Sequence, residues 1–205
     1  TKKYLVAPRR DGLVPLALPE PLNYASILVE KRGDVPMRVV WSELNDSPDQ
    51  LPGVVDVPME RGVCTDVIVR AYRQFGIDLQ QLIHEDMRRN GSVYPKLWKL
   101  TRPDPNIDHR RVPNQAKFFA RQGQVAPVSA DPGVYLPGDL VTWRLPVGVP
   151  HIGIVSERRS ETGTPLVIHN IGAGAVEENI LFSFTITGHY RYFPQRLAEA
   201  CKGLR

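Results

Sequence analysis

Cysteine is scarce: two residues, Cys64 and Cys201, occur in a chain of 205. Two cysteines do not make a disulfide framework, and no C-x-x-C pair offers a zinc site. Cys201 lies in a polar tail from Arg196 to Arg205 and reads as a free thiol. No stretch reaches the ~18 apolar residues of a membrane span. A Lys/Arg-rich run and an aromatic-basic stripe are both missing, which leaves nucleic-acid binding without support. The chain opens Thr1-Lys2-Lys3, without Met and without a signal-peptide apolar region. The expectation is a processed or truncated product whose export signal has been removed.

What is present is ordinary globular usage, with 42% apolar and 23% charged residues. The length suits one domain with an arm. Nineteen prolines point to irregular connections and short elements. The net charge of +4 favours anionic partners such as a cell wall, although on a chain this long it also reads as solubility alone.

Residues 1–58 are Pro-rich and read as an arm packed on the main domain. Tyr4-Leu5-Val6-Ala7 and Met37 to Trp41 suit short strands there, and Asn45 to Gly53 carries turn chemistry. The pattern sharpens at Arg61. Cys64, Val67, Ile68, Ala71, Tyr72 and Phe75 trace one helical face, with Gly76 as the stop. Asp78 is a helix cap with Gln81 three residues on, ahead of the stripe Leu79, Leu82, Ile83 and Met87. Pro113 starts a third helix, Asn114 to Gln122, which Gly123 closes. Beyond Tyr135 the pattern is that of strands: Leu140 to Trp143, His151 to Ser156, Leu166 to Ile171, Ile180 to Thr187 and His189 to Phe193. Helices followed by strands predict an α+β domain over 59–195, with N-terminal helices packed on a mainly antiparallel sheet. Residues 196–205 form a tail.

A thiol attacks a carbonyl as thiolate, and a helix N-terminus or a neighbouring imidazolium lowers its pKa. Cys64 opens a predicted helix, so it is a candidate nucleophile expected to react at mildly acidic pH. The competing reading is a small buried hydrophobe. His151 begins one apolar strand and His169 ends the next. Arg158 to Gly163 reads as the hairpin turn between them, and the midpoint of 151 and 169 is Ser160. A hairpin symmetric about Ser160 sets the two histidines directly opposite each other on one face, where one ring holds the other's tautomer. A one-residue slip separates them onto opposite faces, and two structural histidines at strand ends is the alternative.

Several ordered motifs carry a resemblance: Gly62-Val63-Cys64-Thr65-Asp66-Val67, Asp78-Leu79-Gln80, Ile107-Asp108-His109-Arg110-Arg111-Val112-Pro113-Asn114, Pro137-Gly138-Asp139-Leu140-Val141, Pro150-His151-Ile152-Gly153-Ile154-Val155, His169-Asn170-Ile171-Gly172 and Gly188-His189-Tyr190. Over roughly residues 60–193 the chain resembles a bacterial domain-of-unknown-function family within the NlpC/p60 superfamily of papain-like cysteine hydrolases. The resemblance implies a papain-like NlpC/p60 fold and a thioester route on an amide bond, usually in peptidoglycan stem peptides or cross-links. By that likeness Cys64 is the nucleophile, His151 the base and His169 the residue that orients it. The thiol proton passes to His151 and later to the leaving amine. The backbone N–H of Cys64 serves the oxyanion. Two features depart from the superfamily: Val63-Cys64-Thr65 stands where Asp-Cys-Ser is typical, and a Tyr-containing helix upstream has no counterpart in residues 1–55.

Asn170 is the rival for the third role, because adjacent strand residues face opposite ways; parity favours His169. Arg110 and Arg111, with Asp108, are candidates for gripping a substrate carboxylate, against a solvated basic loop with a structural Asp–Arg pair. Asp66 either caps its helix turn or pairs with an arginine. His84, His109 and His189 read as surface or structural. No cofactor and no metal is expected, although Cys64, His151 and His169 are also the donor types of a zinc site. A non-catalytic papain-like binding module and an acyltransferase using the same thiol are the remaining alternatives. The expected setting is the periplasm or cell envelope and the expected partner is peptidoglycan or its fragments, in wall remodelling or as an antibacterial effector, with an immunity protein if it is a toxin.

Overall fold

The computed structural model describes residues 26–32, 35–42, 62–97, 102–146, 148–172 and 174–193. Strands β1 (Ser26–Arg32) and β2 (Val35–Ser42) pair as an antiparallel hairpin, so the expected strand at 37–41 lies within β2. Helices α1 (Cys64–Arg73), α2 (Leu79–Asn90) and α3 (Val112–Gln122) follow, with a 3-10 turn, Asp108–Arg110, just ahead of α3. Strands β3 (Gln124–Val125), β4 (Leu140–Arg144), β5 (Pro150–Arg159), β6 (Pro165–His169), β7 (Val176–Glu178) and β8 (Thr185–Arg191) form one antiparallel sheet ordered β3-β8-β4-β5-β6-β7. Helices segregated in sequence from the six strands of an antiparallel sheet make this an α+β architecture. The expected strand at Tyr4–Ala7, the turns of 45–53 and the tail with Cys201 lie outside the described residues.

Each side of the sheet has its own core. Even-numbered residues Leu140, Ile152, Ile154 and Ile168 pack on the helices through Val67, Ile68, Leu79, Val112, Phe118 and Phe119. Odd-numbered residues Val141, Trp143, Val155 and Val167 face the other way, under Tyr135 and Leu181. That split is the period-2 alternation of a strand buried on both faces. The second helix begins as expected, with the Asp78 carboxylate accepting the N–H groups of Gln80 and Gln81. Leu82 of its predicted stripe is exposed.

Two features differ from the sequence reading. Ile180–Thr187 and His189–Phe193 are not two strands. Residues 181–183 make a turn, closed by the Ser183 N–H on Ile180 O, and one strand runs from Thr185 to Arg191. The apolar run before it instead sends Leu181 into the second core, and the backbone O of Leu181 accepts the Trp143 indole N–H. Strand β7 is the other miss. Its sequence, Val-Glu-Glu, lacks a strand's apolar alternation, and it is held at the sheet edge by pairing with β6.

The Pro137-Gly138-Asp139 turn positions the sheet. Gly138 sits at φ +86°, a conformation that favours glycine. The buried Asp139 accepts the N–H of Leu136, then grips His189 Nε2 at 2.7 Å and the Arg191 guanidinium at 2.7 Å twice over. One carboxylate therefore ties the start of β4 to the end of β8.

Candidate active site

Cys64 is the first residue of α1, and the preceding Val63 has no side-chain acceptor to cap the helix. Ser, Thr or Asp at that position engages the N–H groups of the first turn. Here the free N–H groups of Cys64 and Thr65 face the sulfur, joined by the backbone N–H of Ile152 from β5. Asp66, in the same turn, reaches back to the Val63 N–H at 2.7 Å. Its two oxygens also take a bidentate pair of bonds, each 3.1 Å, from the Arg110 guanidinium. The turn that carries the nucleophile candidate is thus bolted to the segment before α3. Thr65 strengthens the junction: its hydroxyl donates to Arg110 O, and its carbonyl accepts from the Gln115 side chain.

The Ile152 N–H is available for a reason of strand geometry. Val155 directs both its N–H and its C=O toward Asp139 and Gly138 on the β4 side. Alternation turns the N–H groups of Ile154 and Ile152 toward β6, but β6 ends at His169. The amide beyond that end meets a sulfur instead of a carbonyl.

His151 and His169 meet on the opposite face. His151 Nε2 lies 3.1 Å from His169 Nδ1, with the rings perpendicular, and both residues are buried. The pairing register is Ile154 with Ile168 and Val155 with Val167. Continuing it sets His169 against Gly153, so the two histidines are diagonal neighbours and not the directly opposed pair that symmetry about Ser160 predicts. The difference is two residues, which preserves the face. Gly153 makes the diagonal approach feasible: a Cβ there would lie 2.6 Å from the Val167 side chain and 3.2 Å from the His169 Cβ. The Trp143 ring, 5.9 Å from that of His151, closes the other side.

Thiol and imidazole therefore lie on opposite faces of the sheet at the start of β5. The sulfur faces the amide that directly follows His151. Among the described residues no hydrogen bond joins the Cys64 thiol to either imidazole. His151 Nε2 is turned to His169, which leaves Nδ1 as the ring nitrogen outside that pairing. Among the described residues no group of three or more His, Cys, Asp or Glu is arranged to hold a metal ion.

The electrostatics differ from the sequence expectation. Burial pushes the Cys64 thiol up, the Asp66 charge adds to that rise, and the three backbone N–H groups oppose it. The residue is 8% exposed, and desolvation outweighs the helix N-terminus. His151 is pushed down to about 4 by burial, with the charge of His169 contributing. Burial also lowers His169, against the opposing charge of Glu178. These shifts favour the neutral thiol and the neutral imidazoles.

The remaining candidates sit as follows. Asn170 donates to Gly62 O at 3.2 Å and accepts the Gly172 N–H at 2.7 Å, so it braces the residue two before Cys64 from the helix side of the sheet. Arg110 is held by Asp66. Asp108 is fully buried, accepting the Asp104 N–H at 2.7 Å with His84 Nδ1 at 3.5 Å, and burial raises its pKa. Arg111 is the extended residue just before α3, with no side-chain capping bond. His109 is buried next to Asp108, and burial lowers its pKa. His189 is bonded at both ring nitrogens, to Pro127 O and to Asp139. Sequence reasoning missed Glu178, whose Oε2 lies 3.3 Å from His169 Nε2. Only the pairing of β7 with β6 brings it there.

Residues 50–192 match the family described as Domain of unknown function (DUF1287). The chain is similar to uncharacterized protein YijF of Escherichia coli (strain K12), 58% identical over 138 residues, which is 67% of each chain. No solved structure matches.

Proposed function

The chain belongs to the DUF1287 family, and from that premise we propose that it is a papain-like cysteine hydrolase of the NlpC/p60 type, cleaving an amide bond in peptidoglycan stem peptides or cross-links. The observation that carries the reading is the buried His151–His169 pair, 3.1 Å apart, on the strand whose Ile152 N–H meets a thiol at a helix N-terminus. Cys64 Sγ attacks the amide carbonyl while its proton passes to His151 Nδ1. The oxyanion takes the N–H of Cys64. His151 then gives its proton to the departing amine, leaving a thioester on Cys64. Water, activated by the same imidazole, releases the acid and restores the thiol.

His169 holds His151 in the tautomer with bare Nδ1 and supports the imidazolium that forms. The neutral resting pair suits this cycle, because His151 accepts a proton only when the developing thiolate can stabilise it. The N–H groups of Ile152, Thr65 and Cys64 supply part of that stabilisation. Asp66, Arg110 and Asn170 act by fixing the loop and helix turn around the sulfur. Peptidoglycan as substrate fits the family likeness and the basic balance of the chain, and it implies a working place in the cell envelope.

The test is mass spectrometry of muropeptides after incubation of peptidoglycan with wild type and with Cys64→Ala, under reducing conditions. The expected result is new amide-cleavage products with wild type alone. A wild-type digest identical to the untreated wall removes the substrate claim.

A further inference from the structure

We propose that Glu178 is a positioning residue of the thiol site: its carboxylate fixes the proton on His169 Nε2 and thereby orders both imidazoles. The inference rests on the hydrolase reading above and deepens it. The placement comes from β7. Val167 pairs with Glu178 and His169 with Val176, which puts the Glu178 side chain on the imidazole face, diagonal to His169 and within reach. Its Oε2 lies 3.3 Å from His169 Nε2. That nitrogen is buried and makes no well-aligned hydrogen bond, so the carboxylate is the one acceptor beside it among the described residues.

Proton counting supplies the rest. For His151 to accept the thiol proton, its Nδ1 must be bare and its proton must sit on Nε2. That Nε2–H then donates to His169 Nδ1, so Nδ1 of His169 must also be bare. A neutral imidazole carries one proton, and for His169 it is left on Nε2, aimed at Glu178. The opposite arrangement would place a bare Nε2 against a carboxylate, lone pair to lone pair. One negative charge therefore selects the tautomer of His169, and through it the tautomer of His151. When His151 becomes an imidazolium, the same charge lies behind it in line. The neighbours of His169 on that face include His151 across the hairpin, Glu178 and the directly paired Val176 from β7, and the uncharged Val167 and Gly153. Glu178 itself is half exposed, with 52% of its side chain open, so replacing it does not open a hole in the core.

The experiment uses 15N-histidine-labelled full chain as wild type, Glu178→Gln and Glu178→Asp, read by long-range 1H–15N spectra across pH. In wild type both His151 and His169 should show the Nε2–H tautomer. In Glu178→Gln the His169 pattern should become a mixture and its titration midpoint should fall, by roughly half a unit for a half-exposed charge. Glu178→Asp should restore most of both. Unchanged tautomers and midpoints in Glu178→Gln, or a wild-type His169 protonated on Nδ1, would overturn the proposal. Muropeptide hydrolysis by the same samples separates this from the parent claim. A wild type with the predicted tautomers but no hydrolysis sinks the hydrolase reading and leaves the Glu178–His169 relation standing.

Discussion

The odd-numbered face of the sheet buries two histidine settings that are opposite in kind. At the β4–β8 end, His189 is bonded at both ring nitrogens, and its carboxylate partner Asp139 is matched by Arg191. At the β5–β6 end, His151 and His169 lean on each other, and the last nitrogen of the pair has only an off-axis carboxylate. The first setting is closed, with donors and acceptors used up inside the fold. The second leaves Nδ1 of His151 outside the pairing of the two rings. A satisfied buried histidine holds strands together, whereas an incompletely satisfied one retains a site for a travelling proton.

The comparison breaks most directly at the two rings. His151→Ala should reduce turnover by about 10³ to 10⁴, the range for losing a base that acts with its nucleophile, as measured by muropeptide release per folded protein. His189→Ala should do the reverse. It removes one partner from a buried carboxylate and should lower stability by about 3 kcal/mol in urea titration, with the turnover of the folded fraction kept. If His189→Ala lost turnover and retained stability, the two settings would have been assigned the wrong way round.

Acid should also act on the open setting. His151 is held neutral down to about 4, against an ordinary 6.5. Between those values the unfolded chain binds a proton that the folded chain refuses, so stability rises with pH across that window. The contribution is present in full above pH 6.5 and fades as pH drops to about 4, by up to about 3 kcal/mol. In His151→Ala this part of the acid sensitivity should shrink, which denaturant titrations at pH 7 and pH 4.5 can read. A milder effect is expected from Asn170→Ala. Loss of the bond to Gly62 O should lower stability by about 1 kcal/mol and raise KM more than it changes kcat, since the brace holds the residues just before Cys64 and takes no proton. An unchanged KM would leave Asn170 as a turn residue alone.

Much of this contrast is legible in the sequence, for physical reasons that vary by residue. The helices announce themselves through 3.6-residue spacing and the Asp78 cap, and His151 and His169 through their places at the ends of apolar strands. The shared face survives a two-residue error in register because side-chain direction has period two. The direct opposition fails because the turn is not symmetric about Ser160: the register slips between Val155 and Arg159. The thiol's raised pKa was hidden for another reason. A helix N-terminus can be read from spacing, but the burial that outweighs it depends on β5 folding against α1. Glu178 was invisible because the β6–β7 pairing, and not local pattern, aims it at His169.

The central claim is that His151 takes the Cys64 proton. The most direct test is the rate at which iodoacetamide labels Cys64 at pH 7 in wild type and in His151→Ala, followed by peptide mass spectrometry. The thiol is protonated at rest, so its reactivity depends on a base, and the rate should fall about a hundredfold in His151→Ala. Equal rates in the two proteins would contradict the claim.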